Sequence, residues 1–383
     1  MDLYFDNAAT SWPKPPAVLK SFETYQRTVG ASAGRGAYPR AQASGSILAA
    51  CRKALAVLVN APDPERVIFT LNCSDALNMA IQGIPWRRGD RVLVTPFEHN
   101  SVLRPLHALK ARRGILIDCL PVDPEGRVRL EKLSVSLRPR TKLVACVHAS
   151  NVTGVIQPVA EVGAFARRKG IPFLVDAAQS AGAIPLDMGA MKIDLLAFPG
   201  HKGLLGPLGT GALVLSENMD LEPYRQGGTG SLSELEVQPL FYPDRLETGS
   251  HNAPGLLGLW KGVQYVAQRG VASIRRHERA LLNQFREGID TIPQIRYIGP
   301  SKSTHQVAVV SLLLANEDPR LSAARLWKKG RVMVRAGLHC APWAHKQMGT
   351  FPQGTFRFSF GPYVTSAQID RALGALRGLA RGT

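Results

Sequence analysis

The 383-residue chain has few cysteines, comparatively few acidic residues and no long apolar run. Its five cysteines are odd in number and scattered, which argues against a disulfide framework and favours a reducing compartment. They form no CxxC pair, so the sequence does not predict a zinc site. No apolar run reaches about 18 residues, and we therefore expect no membrane-spanning helix.

The N-terminal residues MDLYFDNAAT contain two acids and lack the basic segment that opens a secretory signal peptide. Together with the scattered cysteines, this predicts a cytoplasmic protein. Hydrophobic residues make up 45% of the chain and charged residues 20%, which is an ordinary globular mixture.

Basic residues outnumber acidic ones, with 47 lysines and arginines against 29 aspartates and glutamates and a net charge of +18. Such a charge can attract nucleic acid or an acidic protein. The basic clusters, such as Arg112–Arg113 and Lys328–Lys329, are short and spread out, and no zinc-finger, RNA-recognition or helix-turn-helix signature accompanies them. Solvated basic faces are the simpler explanation, so we expect no nucleic-acid partner, whereas an acidic protein partner stays open.

From about residue 40 onward, apolar strand patterns alternate with amphipathic helix patterns. The strands are almost continuously apolar, which is typical of a mostly parallel sheet covered by helices on both faces. The sequence therefore predicts an α/β fold. Helices are predicted at 44–60, 74–84, 101–114 and 159–170, and strands at 65–70, 91–96, 115–122, 142–150, 172–177, 194–199 and 211–216.

The character of the sequence changes after residue 254. Further strand patterns follow, at 305–315, 331–337 and 355–361, and the last helix opens at Thr365 with a capping-box pattern. A chain of this length suits two domains. We predict a large domain at 12–254 and a small α+β domain at 255–383 that includes the N-terminal segment 1–11.

Polar side chains follow several predicted strands at the point where each strand ends. Because the carboxyl ends of parallel strands meet at one edge, where ligands bind, we expect these side chains to converge. They include a lysine, an aspartate, two histidines and two amides, with a serine at a predicted helix start. In chain order they are Ser74, His99, Asn151, Asp176, Gln179, His201 and Lys202.

This set has the parts of a pyridoxal 5′-phosphate (PLP) site. Lys202, in the Gly-rich turn GHKG, can form a Schiff base with an aldehyde cofactor. Asp176 can hold a pyridinium nitrogen protonated, and the helix start at Ser74 can bind a phosphate. The ring of His99 can cover the cofactor. Each residue alone has a simpler explanation as a cap, a turn or a structural histidine, but their order and placement together favour the cofactor site.

The segment RAGLHCAPWAH at 335–345 places Cys340 between two histidines, His339 and His345. A cysteine there could be a nucleophile, a metal ligand or a small buried hydrophobic residue. The local residues leave these alternatives open. The two histidines have no further clustered ligands nearby, so we expect no metal.

Six motifs, spread in order over almost the whole chain, are similar to those of a known family. The resemblance is to the class V aminotransferase group of fold-type I PLP enzymes, and within it to the cysteine desulfurase and selenocysteine lyase branch. The motifs are YFDNAATSWPKP (4–15), VDAAQS (175–180), GHKGLLGPLGTG (200–211), LETGSHNAPG (246–255), VRAGLHCAP (334–342) and FRFSFGPYVT (356–365).

The resemblance implies a fold-type I transferase with a seven-stranded, mostly parallel sheet and a small α+β domain. It also implies a homodimer and a role for each candidate residue. Lys202 would hold the cofactor and move the α-proton, His99 would stack on the ring and serve in acid–base steps, and Cys340 would accept the sulfur. The remaining roles are ring contacts for Asp176 and Gln179, phosphate contacts for Ser74, His201 and, across the dimer, Ser250, and substrate carboxylate contacts for Asn151, Arg335 and Arg357.

The activity implied by the resemblance is that of a PLP-dependent cysteine desulfurase. It would convert L-cysteine into L-alanine, leave a persulfide on Cys340 and pass the sulfur to an acceptor, with an acidic protein as one candidate, in sulfur metabolism such as iron–sulfur cluster assembly. The alternatives are a selenocysteine lyase or another class V enzyme, namely a cysteine or cystine β-lyase, an epimerase or an aminotransferase. A basic nucleic-acid-binding or scaffold protein with the same fold is the remaining alternative.

Three features depart from the family pattern. Pro199 precedes the Gly-His-Lys motif where the family often has a hydroxyl residue, and Cys73-Ser74 replaces the usual Thr-Thr pair. The segment between GGTGS and LETGS is shorter than in desulfurases that dock a dedicated sulfur carrier. We also expect His339 or Arg335 to favour the Cys340 thiolate electrostatically.

Overall fold

The computed structural model describes residues 2–34 and 36–381. Its strands form one large sheet, a smaller sheet and a short two-stranded pair. Within the described ranges the strands are β1 (Leu3–Tyr4), β2 (Val67–Thr70), β3 (Arg91–Val94), β4 (Leu116–Cys119), β5 (Thr141–Val147), β6 (Phe173–Asp176), β7 (Leu195–Pro199), β8 (Gly211–Leu215), β9 (Ile295–Ile298), β10 (Val309–Leu314), β11 (Val332–Met333), β12 (Arg335–Gly337) and β13 (Thr355–Ser359).

Helices alternate with the strands of the large sheet and then pack on the smaller one. Over the same residues the α-helices are α1 (Pro16–Thr28), α2 (Pro39–Val59), α3 (Cys73–Gln82), α4 (Asn100–Arg113), α5 (Leu133–Ser136), α6 (Val159–Arg168), α7 (Ala253–Arg269), α8 (Val271–Asp290), α9 (Pro319–Gly330), α10 (Pro342–Gln347) and α11 (Ser366–Ala380).

The large sheet has seven strands in the described residues, in the order β2-β8-β7-β6-β5-β3-β4. All neighbours are parallel except the two that involve β8. Strand β6 shows why its sequence is apolar throughout: Phe173 and Val175 pack into the core on one face, and Leu174 packs into the core on the other. The predicted α/β fold with a mostly parallel seven-stranded sheet is confirmed.

The helix-end signals in the sequence correspond to real caps. Gly114 ends α4 with φ of 68°, a left-handed conformation that glycine adopts without a steric penalty. Thr365 and Gln368 form both hydrogen bonds of the capping box at the start of α11. These local signals depend on neighbouring residues only, which is why the sequence alone predicted them.

Boundaries and pairings that depend on distant residues differ from the prediction. Helix α2 begins at Pro39 rather than at 44, because a proline suits the first helical turn. The predicted strand at 331–337 is two short strands, since β11 pairs with β1 and β12 pairs with β13 in another sheet. Helices α1, α5, α8, α9 and α10 were not predicted.

The smaller sheet has the order β12-β13-β10-β9 and is antiparallel. Its core also contains Leu3 and Phe5 from the N-terminal segment, which pack with residues such as Phe285 and Phe358. This arrangement supports grouping the first residues with the C-terminal part. The division into 12–254 and 255–383 with 1–11 stays a prediction.

Helix α2 is long and apolar enough, by length and composition, to cross a membrane. Core helices of globular proteins pass the same test. Here Leu48, Cys51 and Leu55 are buried in the core of the large sheet, and α2 packs against α7. The helix is therefore a weak indication of a membrane span.

Candidate active site

One pocket lies at the carboxyl edge of the large sheet and collects most of the predicted residues. It has about 510 Å³ of empty space, part of which is open to solvent. Its lining includes Ser74, His99, Asn151, Asp176, Gln179, His201 and Lys202. The convergence that the strand-end argument predicted is therefore present.

The sheet topology places these side chains. Asp176 is the last residue of β6, and Lys202 lies in the turn that follows β7. Asn151 follows β5, which neighbours β6. His99 caps α4, and Ser74 lies in the first turn of α3. Each side chain thus sits where an element meets the same edge of the sheet.

Asp176 is buried and Lys202 is half-buried, and both line this pocket. Oδ1 of Asp176 accepts the Ala178 N–H at 2.9 Å and lies 3.5 Å from Sγ of Cys73. Burial raises the pKa of Asp176, and the neighbouring Lys202 charge opposes that rise. Burial lowers the pKa of Lys202, which increases the fraction of neutral amine available to an aldehyde.

His99 is held in place by a serine that sequence reasoning missed. Its Nδ1 accepts the backbone N–H of Ser101 at 3.1 Å and lies 2.8 Å from the Ser101 hydroxyl. That hydroxyl is 2.6 Å from the hydroxyl of Ser74. Burial first, and then the Lys202 charge, lowers the pKa of His99 to about 4. The imidazole is therefore neutral near pH 7 and suited to stacking on a ring.

The residues present fit PLP. Nδ1 of His201 is buried and has no hydrogen-bond partner among the residues that the structure describes. The N-terminus of the ten-residue helix α3 reaches the same pocket through Cys73 and Ser74. An unpartnered imidazole nitrogen beside a helix N-terminus suits a phosphate, and the buried Asp176 carboxyl suits a pyridine nitrogen. Pro199 also lines this pocket, where the family often supplies a hydroxyl.

Gln179 connects the pocket to the N-terminal segment. Its Nε2 donates to the carbonyl oxygen of Ala8 at 2.9 Å. The main chain of His201 is tied to the same segment, because its carbonyl accepts from Ser11 and Lys14. The first residues of the chain thus form part of the support around the candidate site.

Arg357 is buried beside the pocket on β13. Its Nη1 donates to the carbonyl oxygen of Asn151 at 2.8 Å, so the structure brings two of the predicted carboxylate contacts together. Its Nη2 pairs with Oδ1 of Asp6 at 3.0 Å. The exposed Arg335, also predicted to contact the carboxylate, pairs with Oδ2 of Asp6 at 3.0 Å. Sequence reasoning missed Asp6.

Cys340 is exposed on the short loop between β12 and α10. Two consecutive backbone carbonyls of this loop accept hydrogen bonds from residues that follow strands of the large sheet. The carbonyl of His339 accepts Nδ2 of Asn151 at 2.6 Å, and that of Cys340 accepts the Asn100 N–H at 2.7 Å. His339 and Cys340 have φ of 47° and 58°, a conformation that costs about 1 kcal/mol or more per non-glycine residue.

The side chain of His339 does not supply charge to Cys340. It is buried, and its Nε2 lies 3.1 Å from the Thr355 hydroxyl. Burial holds the pKa of His339 well below its ordinary value, so the ring is neutral near pH 7. Burial lowers the pKa of Arg357, and Asp6 and, more weakly, Cys340 oppose that lowering, so Arg357 lies within electrostatic reach of Cys340.

Ser250 lies outside the main pocket, in a neighbouring one lined also by Thr70, Asp75 and Glu247. Glu247 anchors its loop, since both carboxylate oxygens pair with Arg52, at 2.8 and 2.9 Å, in a buried salt bridge. The predicted contact of Ser250 with another subunit's cofactor stays a prediction.

Over the described ranges, no group of three His, Cys, Asp or Glu side chains is arranged to hold a metal ion. His345, one of the histidines near Cys340, instead places Nδ1 2.7 Å from the Thr350 hydroxyl. Trp343, in α10, packs edge-on against His107.

Comparison with known proteins agrees with this geometry. The family model for aminotransferase class-V matches residues 3–372. A probable cysteine desulfurase of Pyrococcus abyssi is 34% identical over 99% of this chain and 94% of its own, and one of Methanothermobacter thermautotrophicus is 33% identical over 96% and 92%. The apo structure of cysteine desulfurase from Thermococcus onnurineus NA1 superimposes with a TM-score of 0.94 at 34% identity, covering 100% of this chain and 95% of that one.

The fold and the pocket define a PLP-dependent enzyme of fold type I. The chain belongs to the class V aminotransferase family. The predicted family, fold and cofactor are therefore confirmed.

Proposed function

We propose that this chain is a cysteine desulfurase, which uses PLP to convert L-cysteine into L-alanine and holds the released sulfur as a persulfide on Cys340. The main supporting observation is the position of Cys340, exposed on a loop that Asn100 and Asn151 fasten beside the Lys202 pocket. The relatives named cysteine desulfurases, similar over nearly the full chain, support the same activity.

PLP, when bound, supplies an electron-withdrawing ring that stabilises negative charge at the substrate α-carbon. The Asp176 carboxylate would hold the ring nitrogen protonated. The half-buried Lys202 amine, whose pKa is lowered, accepts the proton from the α-carbon and returns a proton during the reaction. His99, neutral and fixed by Ser101, would cover the face of the bound ring.

Arg357 and Asn151 orient the substrate through its α-carboxylate. The guanidinium is a bidentate partner for a carboxylate and stays charged at any physiological pH. Holding the carboxylate there fixes the α-carbon near Lys202 and the thiol group toward the Cys340 loop. Arg335 adds positive charge at the outer side of this site.

Cys340 carries out the sulfur transfer. Its thiolate attacks the substrate sulfur, so that a new S–S bond forms and the bond between Cβ and sulfur breaks. The electron pair of the broken bond stays with Cβ, which takes up one proton to give the methyl group of alanine. The balance is one L-cysteine and one enzyme thiol converted into one L-alanine and one enzyme persulfide.

The homodimer and the sulfur acceptor belong to the same proposal. Exposed apolar side chains cluster in the segment before Ser250 and would be covered by a second copy. An exposed Cys340 and a net charge of +18 suit an acidic acceptor in the cytoplasm. The exposed apolar side chains that a second copy would cover are Leu232, Leu235, Val237, Leu240 and Phe241.

The test is incubation of PLP-loaded protein with L-cysteine and measurement of alanine, sulfide, pyruvate and ammonia. The proposal expects alanine and sulfide in equal amounts when a reductant is present. Pyruvate and ammonia without alanine would identify a β-lyase instead. Turnover of selenocysteine alone, unaffected by Cys340→Ala, would identify a selenocysteine lyase, because selenium can leave without a nucleophile.

A further inference from the structure

Asp6 joins the two arginines beside the pocket. Its Oδ1 lies 3.0 Å from Nη2 of Arg357, and its Oδ2 lies 3.0 Å from both Nε and Nη2 of Arg335. The two arginines are direct partners across β12 and β13. One carboxylate therefore stands between two adjacent like charges that would otherwise repel each other.

The contacts of Arg357 leave the Nε of its guanidinium unpaired within the described residues. Nη1 donates to the Asn151 carbonyl and Nη2 to Asp6, whereas Nε is buried and has no hydrogen-bond partner in the part of the chain that the structure describes. Nε–H and one N–H of Nη2 project in parallel from the same edge of the planar group. A carboxylate binds such an edge in a bidentate manner.

We propose that Asp6 is a positioning residue, which orients Arg357 so that its Nε edge receives the α-carboxylate of the substrate. The inference rests on the proposed function, which places an amino acid at Arg357. Asp6 does not touch the substrate; it acts by fixing the plane of the guanidinium.

Asp6 is not needed to hold the N-terminal segment in place. Nδ2 of Asn7 donates to the Ser359 carbonyl at 3.1 Å, and the Ala8 N–H donates to the Ser359 hydroxyl at 2.8 Å. The Phe5 N–H donates to the Met333 carbonyl at 2.9 Å. These bonds remain when the Asp6 carboxylate is replaced, so its loss should affect the arginines rather than the path of the chain.

The chain offers a matched control. Asp2 lies on the same segment and pairs with Arg331 at 2.9 Å, next to β11 and away from the pocket lining. Asp2→Asn removes an ion pair of the same type between the same two parts of the molecule. If Asp6 only tethered the N-terminal segment, Asp2→Asn and Asp6→Asn would have similar effects on ligand binding.

The experiment titrates PLP-loaded wild type, Asp6→Asn and Asp2→Asn with L-alanine and with ethylamine, the same molecule without its carboxylate. Binding is followed by the absorbance of the bound cofactor. We expect Asp6→Asn to weaken L-alanine binding about tenfold and to leave ethylamine binding unchanged, with Asp2→Asn like wild type on both. L-alanine affinity within twofold of wild type, or equal losses for both ligands, would overturn the proposal.

A second variant keeps the test decisive if Asp6→Asn does not fold. Asp6→Glu retains the charge but moves it by one methylene, so we expect L-alanine binding to weaken about threefold with ethylamine unchanged; unchanged L-alanine binding would contradict the role. The titration needs no turnover. Selective weakening of L-alanine binding in a protein that makes no alanine from L-cysteine would support Asp6 while rejecting the proposed activity.

Discussion

The side-chain amide of Asn151 donates a hydrogen bond to the carbonyl oxygen of His339 at 2.6 Å. Asn151 lines the cofactor pocket, and His339 precedes Cys340 on its loop. The residue proposed to bind the substrate carboxylate therefore also supports the residue proposed to accept its sulfur. Substitution of Asn151 should therefore affect both substrate binding and sulfur transfer to Cys340.

Replacement of Asn151 by alanine should lower kcat/KM for L-cysteine roughly ten- to hundredfold, because it removes a buried hydrogen bond and a carboxylate contact. The absorbance of the bound cofactor should be kept. Asn100→Ala is the control, since Asn100 holds the Cys340 carbonyl through its backbone N–H, which the substitution retains. An Asn151→Ala enzyme within twofold of wild type would show that this anchor has no role in turnover.

His339→Asn should leave the reactivity of Cys340 unchanged. The imidazole is buried, neutral near pH 7 and directed to Thr355, so it supplies no charge to the thiol. Asparagine also tolerates the positive φ of this position better than most residues. The measurement is the rate of alkylation of Cys340 against pH, in a background where Cys119, the other exposed cysteine, is serine. A shifted pH profile in His339→Asn would restore the electrostatic role that the sequence suggested.

Glu278 should make stability depend on pH. It is buried and lines a cavity that Lys202 also lines, and burial raises its pKa to about 8 although Arg275 and Arg269 oppose the rise. The folded state thus holds this proton more strongly than the unfolded state does. Stability from the group is present at low pH and is lost as the pH rises from the unfolded value of 4.5 toward 8.

The check is urea unfolding of apo wild type and Glu278→Gln at pH 5 and pH 8. Between these values the wild type should lose about 3 kcal/mol more free energy of unfolding than the variant. Parallel losses in the two proteins would mean that Glu278 titrates normally in the folded state.

Arg52 should be important for stability because it neutralises the buried Glu247. The side chains of the two residues are only 7% and 5% exposed. Arg52→Leu would leave the buried carboxylate with only His251 and the Phe69 N–H as partners, at a cost of about 3–5 kcal/mol in the free energy of unfolding. Arg27→Leu breaks the exposed pair with Glu23 and should cost less than about 0.5 kcal/mol. Similar urea midpoints for the two variants would refute the importance of burial here.

The pocket residues Asp176 and Lys202 could be predicted because each follows an apolar strand, and strand ends meet by the geometry of a parallel sheet. Asp6 could not be predicted in this way. It meets Arg357 across 351 residues of sequence, through a pairing of β1 with β11 that no local pattern indicates. Ser101 was missed for another reason: a serine in a first helical turn is common, and only the fold brings its hydroxyl between His99 and Ser74.

The sequence also did not reveal which titratable side chains are buried. His339 next to Cys340 suggested a charged neighbour, but the fold turns its ring toward Thr355 and removes its charge. The loop itself was recognised from its motif, whereas its attachment to Asn100 and Asn151 depends on how the two parts of the chain pack. Motifs thus predicted which residues matter, and tertiary contacts determine how they are held.

The most direct test of the account is the mass of the PLP-loaded protein after brief incubation with L-cysteine and no reductant. Wild type and Cys119→Ser should each gain the mass of one sulfur atom, located on Cys340 by peptide mass analysis, with one alanine formed per sulfur gained. Cys340→Ser should gain none and form no alanine while keeping its cofactor absorbance. Sulfur on another cysteine, or alanine formed by Cys340→Ser at the wild-type rate, would contradict the role of Cys340.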